Sequence, residues 1–206
     1  MREEKDSMGI MQVPDDAYYG AQTQRAIENF PISDINISNS MIRALGIIKR
    51  SAAIINHNLG LLDDERKNAI VQVADEVIGG KFDNQFPIDT FQTGSGTSSN
   101  MNCNEIIANR ASELMGGQIG TRDPVHPNNH VNLGQSSNDV IPTAIHVSAN
   151  LMIQNDLVPA LNILSDELDE KVKAFKDVMK IGRTHLQDAT PITVGQEFSG
   201  YVQMVR

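Results

Sequence analysis

The chain has 206 residues, a formal net charge of −9 and one cysteine, Cys103. The negative charge argues against a nucleic acid as partner, because binding to a phosphate backbone requires clustered Lys and Arg. One cysteine excludes an internal disulfide framework and is typical of a reducing compartment. No apolar run approaches the ~20 residues that span a bilayer, so we expect a cytoplasmic protein without a membrane partner.

Three helices are predicted in the first half of the chain. Their expected spans are Met41 to Leu59, near Asp63 to Gly79, and about Ser99 to Met115, with an irregular linker over 82–93 between the last two. The first helix is indicated by apolar residues at three- and four-residue steps, namely Met41, Leu45, Ile48, Ala52, Ile55 and Leu59. The second is expected to bury Ile70, Val73 and Val77.

A narrow apolar stripe in the last third runs from Leu157 to Val178, with Pro159 near its start, where a first helical turn tolerates proline. A stripe that long is typical of a helical bundle with several partner helices, although an amphipathic helix on a compact monomer is the alternative. We see no convincing run of alternating strands. The pattern predicts an all-α fold, with a mainly helical N-terminal domain over 1–135 and the first part of a long-helix bundle over 136–206.

Two polar segments are candidates for binding an anion. In the first, Ser95, Gly96 and Thr97 precede a predicted helix, whose N-terminus presents free N–H groups and a partial positive charge. In the second, neutral donors also stand at a predicted helix start; they are Ser136, Ser137 and Asn138. Taken alone, the first segment is as typical of an ordinary helix cap as of an anion site, and the second is more typical of a cap.

Histidines occur at two further places. His126 and His130 are four residues apart, but Pro127 argues against a helix there and no third ligand is evident, so we predict no metal site. His185 follows Thr184 in a polar break between two helix-like segments. Since the ordinary pKa of histidine is about 6.5, His185 is a candidate proton carrier.

The segments 94–102, 126–139 and 182–191 closely resemble class II fumarase (fumarate hydratase), a member of the aspartase/fumarase superfamily. They read Gly-Ser-Gly-Thr-Ser-Ser-Asn-Met-Asn, His-Pro-Asn-Asn-His-Val-Asn followed by Gln-Ser-Ser-Asn-Asp, and Gly-Arg-Thr-His-Leu-Gln-Asp-Ala-Thr-Pro. The resemblance runs through nearly the whole chain in the family's order. His185 favours fumarase, because aspartases typically have glutamine at this position.

The resemblance implies the reversible hydration of fumarate to (S)-malate, a step of the tricarboxylic acid cycle, without a metal or organic cofactor. His185 would be the catalytic proton relay. The substrate, a small dicarboxylate, would be bound by Ser95, Gly96, Thr97, Ser136, Ser137, Asn138 and Thr184. A peripheral anion site would comprise His126, Pro127, Asn128 and Asn129. Fumarases usually have aspartate where this chain has Asn129, so a carboxylate is missing from that second site.

The family's third motif, a mobile Gly-Ser-Ser-x-Met-Pro-x-Lys-x-Asn loop, is absent from these 206 residues. The family's members are longer homotetramers in which each active site draws on three subunits. We therefore expect an N-terminal fragment that is inactive alone. The alternatives at this stage are an aspartase or another lyase of the superfamily, and a structural relative that has lost catalysis.

Overall fold

A computed structural model describes all of residues 1–206. Seven α-helices dominate it, which confirms the all-α fold class. They are α1 (Ala21–Asn29), α2 (Asn39–Asn58), α3 (Asp64–Ile78), α4 (Thr97–Leu114), α5 (Ser137–Met152), α6 (Val158–Ala174) and α7 (Val194–Val205). Short helical turns occupy Asp83–Gln85, Pro127–Val131 and Ile153–Leu157. No helix is both long enough and apolar enough to cross a membrane.

Two antiparallel hairpins correct the expectation that the chain has no strands. They pair β1 (Arg2–Asp6) with β2 (Gly9–Val13), and β3 (Met179–Thr184) with β4 (Gln187–Thr193). β1 could not be predicted from alternating apolar residues, because its inward-facing residues are charged. Glu4 and Asp6 are buried and form ion pairs of 2.8 Å with Arg2 and Arg25. The hydrogen bond from Arg25 lowers the pKa of Asp6.

The chain divides into two compact units, Met1–Ala149 and Asn150–Arg206. The predicted domain boundary near residue 135 falls within the first unit and stays a prediction. The first unit contains the main hydrophobic core, to which α2, α3 and α4 each contribute fully buried side chains. These include Leu45, Ile70, Val73, Val77, Ile106 and Ile107.

The helix starts and stops in this core follow local chemistry. The side chains of Ser38 and Asp63 accept the backbone N–H groups of Met41 and Arg66, capping α2 and α3. The buried face of α2 differs from the predicted stripe, since Ile55 and Leu59 are exposed. The positions that are buried instead include Ile42, Lys49, Ala53 and Asn56. Because Lys49 and Asn56 on the buried face are polar, the apolar pattern did not show which face of α2 is buried.

The second unit contains α6, the β3–β4 hairpin and α7. α6 ends at Ala174, so the helix is shorter than the predicted stripe, and Phe175 and Val178 lie beyond it. The Phe175 ring packs against Phe198 of α7 with centroids 6.1 Å apart. Thr193 and Gln196 form a capping box at the start of α7. Most of the apolar stripe is exposed, including Leu157, Leu161, Leu164 and Val178.

Candidate functional site

The loop before α4 is held in a conformation that requires glycine. Gly96 has φ +64°, and a Cβ atom there would lie 3.1 Å from the side chain of Ile141. The tight turn brings the Ser95 hydroxyl to 2.9 Å from the Thr97 hydroxyl. Gln92 braces the loop from behind, because its amide exchanges hydrogen bonds with the backbone and hydroxyl of Ser99.

The start of α5 meets the start of α4. The Thr97 Oγ1 and Ser137 Oγ atoms are 2.9 Å apart, and the Ser136 hydroxyl accepts the backbone N–H of Asn138. Two predicted donor clusters, separated by some 40 residues of sequence, therefore form one continuous patch of hydroxyl and amide groups. Because two helix N-termini meet there, the patch also has a local positive potential without a basic side chain on its surface.

A buried lysine that the sequence pattern did not indicate lies behind this patch. Lys49 of α2 is 0% exposed, and its Nζ donates to Asn100 Oδ1 at 2.7 Å, Asn132 Oδ1 at 3.0 Å and Gln135 Oε1 at 2.8 Å. Burial lowers the pKa of Lys49 to about 8. Burial likewise raises the pKa of the neighbouring Cys103 thiol to about 12, so that thiol stays neutral.

The predicted peripheral residues lie on the turn Pro127–Val131. His126 Nδ1 accepts the backbone N–H groups of Asn128 and Asn129 at 3.1 and 3.2 Å. The backbone N–H of His126 in turn donates to His130 Nδ1 at 2.8 Å. The two histidines thus organise the turn through their Nδ1 atoms. Burial lowers the pKa of both imidazoles, and the positive charge of Arg122 adds to this effect at His126.

A cavity of about 430 Å³ borders this turn. His126 and Asn128 contribute to its wall, whereas Pro127 and Asn129 do not; the other lining residues are Lys5, Asp6, Ser7, Gln22 and Arg122. Asp6 is the only carboxylate among them, and it is paired with Arg25. Arg122 has φ +62°, and its buried Nη2 atom has no hydrogen-bond partner. Most of the wall residues carry hydrogen-bond donors, and the contribution of Arg122 was not predicted from the sequence.

Thr184 and His185 lie at the tip of the β3–β4 hairpin. Thr184 pairs with Gln187, which leaves His185 and Leu186 as a two-residue turn with φ values of +47° and +59°. Positive φ at two successive residues is typical of a type I′ turn, which glycine and asparagine adopt most easily. Arg183 donates to the Leu186 carbonyl and to the Asp188 carboxylate, bracing the turn.

Thr184, His185 and Leu186 are all exposed, Leu186 by 83%. The predicted site residues thus form two groups. Ser95, Gly96, Thr97, Ser136, Ser137 and Asn138 lie together in the first unit, with the His126 turn in the same unit. Thr184 and His185 share the hairpin of the second unit. Within the first unit, sequence-distant neutral donors with a buried cation behind them form an arrangement suited to an anion.

The sequence matches the protein family described as Lyase over residues 9–206. The chain belongs to this lyase family. Among its relatives, the protein named class II fumarate hydratase from Halobacterium salinarum is 65% identical over 97% of this chain and 42% of the relative. The corresponding protein of Nitrosomonas europaea is 56% identical over 99% of this chain and 44% of the relative.

Solved structures of the lyase family agree with these sequence matches. Class II fumarase from Schistosoma mansoni superposes with a TM-score of 0.96 at 46% identity, covering 99% of this chain and 43% of that one. A fumarate lyase:delta crystallin from Brucella melitensis gives a TM-score of 0.95 at 46% identity, covering 100% of this chain and 47% of that one. The predicted resemblance to class II fumarase is confirmed. The chain spans less than half the length of these relatives.

Proposed function

We propose that this chain supplies part of the active site of a fumarate hydratase, which interconverts fumarate and (S)-malate. The observation that carries the proposal is the 2.9 Å contact between the Thr97 and Ser137 hydroxyls, which joins two sequence-distant donor clusters at two helix starts. A dicarboxylate needs donors spaced along its length, and a patch of neutral donors at helix N-termini suits it.

The proposed chemistry assigns different tasks to the two groups of residues. Hydration requires charge to develop on the substrate carboxylate next to the carbon that gains or loses a proton. Ser95, Thr97, Ser136, Ser137 and Asn138 would donate to that charge from fixed positions. Gly96 allows the turn because glycine adopts its φ of +64° without strain, and its N–H is already bonded to the Thr93 carbonyl at 3.0 Å.

Thr184 and His185 would complete the site from the β3–β4 hairpin. His185 would exchange a proton with the substrate hydroxyl through a water molecule, acting as general base in one direction and general acid in the other. Its exposure and the strained φ of the turn support this role, because strain is concentrated at functional positions. The reaction proposed here requires neither a metal nor an organic cofactor.

A secondary anion site is proposed at His126, Pro127, Asn128 and Asn129. The Nδ1 atom of His126 is occupied by backbone N–H groups, so its Nε2 is the atom left to face a ligand. Asn129 lacks the carboxylate that most fumarases have at this position. Support for an anion site at this turn therefore comes from His126 and Asn128, which border the cavity, and not from Asn129.

We also propose a homotetramer built on a shared helical bundle. The apolar residues of α6 support it, because Leu161, Ile163 and Leu164 are exposed in the single chain, and large exposed apolar patches mark interaction surfaces. The exposed hairpin tip would then reach a site on another copy. A role in the tricarboxylic acid cycle and a cytoplasmic location complete the proposal, the latter supported by the single, buried and unpaired cysteine.

A chimera tests this function. The 206-residue chain would replace the matching 204 residues of the Nitrosomonas europaea relative, and hydration would be followed by the loss of fumarate absorbance and the formation of malate. We expect malate formation by the purified chimera and none by the 206-residue chain alone. A folded, assembled chimera that does not hydrate fumarate, or that releases ammonia from aspartate instead, would contradict the proposal.

A further inference from the structure

Lys49 is a buried cation without an acidic partner. An ammonium group has three N–H donors, and here each has an acceptor, the side-chain amide oxygens of Asn100, Asn132 and Gln135. All three acceptors are neutral, and no carboxylate forms an ion pair with Lys49. Burying a charge without a counter-ion is costly, so a position that retains one calls for an explanation.

The three acceptors connect Lys49 to both helix starts of the donor patch. Asn100 lies one turn after Thr97 on α4, and Gln135 directly precedes Ser136 before α5. Asn132 closes the network, since its Oδ1 also accepts from Asn100 Nδ2 at 3.2 Å, and its Nδ2 donates to the Gln135 carbonyl at 3.1 Å. Every amide oxygen in the network therefore points toward the lysine.

We propose that Lys49 is a positioning residue for the dicarboxylate site: it ties the starts of α4 and α5 together, and its uncompensated charge favours a doubly negative ligand. This inference rests on the proposed function and adds a positive charge that this chain contributes to the site. The surface donors of the chain are neutral, so its own contribution to the preference for a dianion over a monoanion comes from the buried ammonium behind them. The lowered pKa of Lys49 fits a charge that lacks a counter-ion until the ligand binds.

Two substitutions separate the charge of Lys49 from its structural role. Lys49→Met removes the charge and leaves the amide oxygens of Asn100 and Gln135 without a donor, whereas Asn132 Oδ1 still accepts from Asn100 Nδ2. Asn132→Asp keeps the lysine with its bonds to Asn100 and Gln135, but adds a carboxylate that neutralises it, at the cost of the bond to the Gln135 carbonyl. Lys81→Met is the matched control, because Lys81 is exposed and paired with Glu76.

The readout is competitive inhibition of the chimera by succinate, a dianion, and by its monoamide succinamate, a monoanion of similar shape. In the unaltered chimera we expect succinate to bind more tightly. Lys49→Met and Asn132→Asp should each reduce the ratio of the two affinities by about tenfold, which corresponds to ~1.4 kcal/mol. Lys81→Met should leave the ratio unchanged. Inhibition constants do not depend on the folded fraction, so partial unfolding of Lys49→Met does not obscure the result.

A purely structural lysine would give a different result. Both inhibitors would then weaken by the same factor in Lys49→Met, and Asn132→Asp would leave their ratio as it was; either result overturns the proposal. Should Lys49→Met fail to fold, Asn132→Asp decides alone. An unaltered chimera without hydratase activity would refute the proposed function itself. An active chimera whose variants keep the unaltered ratio would refute only the role of Lys49.

Discussion

The two units of the chain present their predicted site residues in opposite ways. In the first unit, the hydroxyl and amide donors are held by contacts within the same unit, from the exposed Thr97–Ser137 contact to the buried bond between Lys49 and Asn100. In the second unit, His185 stands at the exposed tip of a hairpin. The predicted anion-binding donors are thus already held together within one unit, whereas the predicted proton relay, His185, is exposed.

The same contrast appears in the packing. The first unit buries a continuous core of apolar side chains from three helices. The second unit buries few side chains, Val202 and Ser165 among them, and exposes the apolar stripe of α6. A unit of this kind is typical of a subunit interface rather than of an independently stable domain.

Removing the imidazole is the change with the largest expected effect. In the chimera, His185→Asn should lower kcat by about 10²–10⁴-fold, the range expected for loss of general acid–base catalysis. Asparagine tolerates the positive φ of the turn, so the hairpin and the assembly should be preserved. The measurements are kcat for fumarate hydration and sedimentation of the chimera.

The matched control is His57→Asn, because His57 contacts Asp64 and none of the predicted site residues. Its kcat should equal that of the unaltered chimera. A His185→Asn variant that retains full turnover would remove His185 from the mechanism and leave the hairpin without a catalytic role.

Truncating one leucine in each unit sharpens the comparison of packing. In the 206-residue chain, Leu45→Ala should lower the free energy of unfolding by about 2–5 kcal/mol, since Leu45 is 0% exposed. Leu164→Ala should cost less than about 1 kcal/mol, since Leu164 is 47% exposed. Urea unfolding followed by circular dichroism measures both. Equal costs would show that the stripe of α6 is already buried within the single chain.

The smallest expected effect concerns the contact between the two helix starts. In the chimera, Thr97→Ala and Ser137→Ala should each lower kcat/KM by an amount equivalent to about 0.5–1.5 kcal/mol, the range for one neutral hydrogen bond. Because the two hydroxyls touch, the double variant should lose less than the sum of the two. Strictly additive losses would mean that the two donors act independently. Ser51→Ala, at a hydroxyl bonded within α2, is the control and should have no effect.

Much of the helical architecture was predictable because its signals are local. Asp63 caps α3 and Gly60 follows α2 with φ +73°, so both boundaries could be inferred from residue type. The buried residues Ile70, Val73 and Val77 follow the helical period without interruption. Local signals failed where polar residues point inward, as Glu4 and Asp6 do in β1 and Lys49 does in α2.

The candidate site was predictable only in part for the same reason. The loops of Ser95 and Ser136 were found from their donor content and their positions before helices. The hairpin of His185 was missed because its two-residue turn lacks the Asn-Gly or Asp-Gly pair that usually marks such turns. Lys49 and Arg122 were missed because lysine and arginine are expected on the surface, and only tertiary contacts show what their buried atoms face.

The structure of the assembled chimera with bound succinate is the most direct test of the central claim, that neutral donors from separate loops converge with an imidazole around one dicarboxylate. We predict that Thr97 and Asn138 lie within hydrogen-bond distance of the same ligand. Thr184 should contact that ligand as well, with His185 reaching it through one water molecule. A ligand bound elsewhere, or Thr97, Asn138 and His185 on surfaces that share no cavity even between neighbouring copies, would contradict the claim.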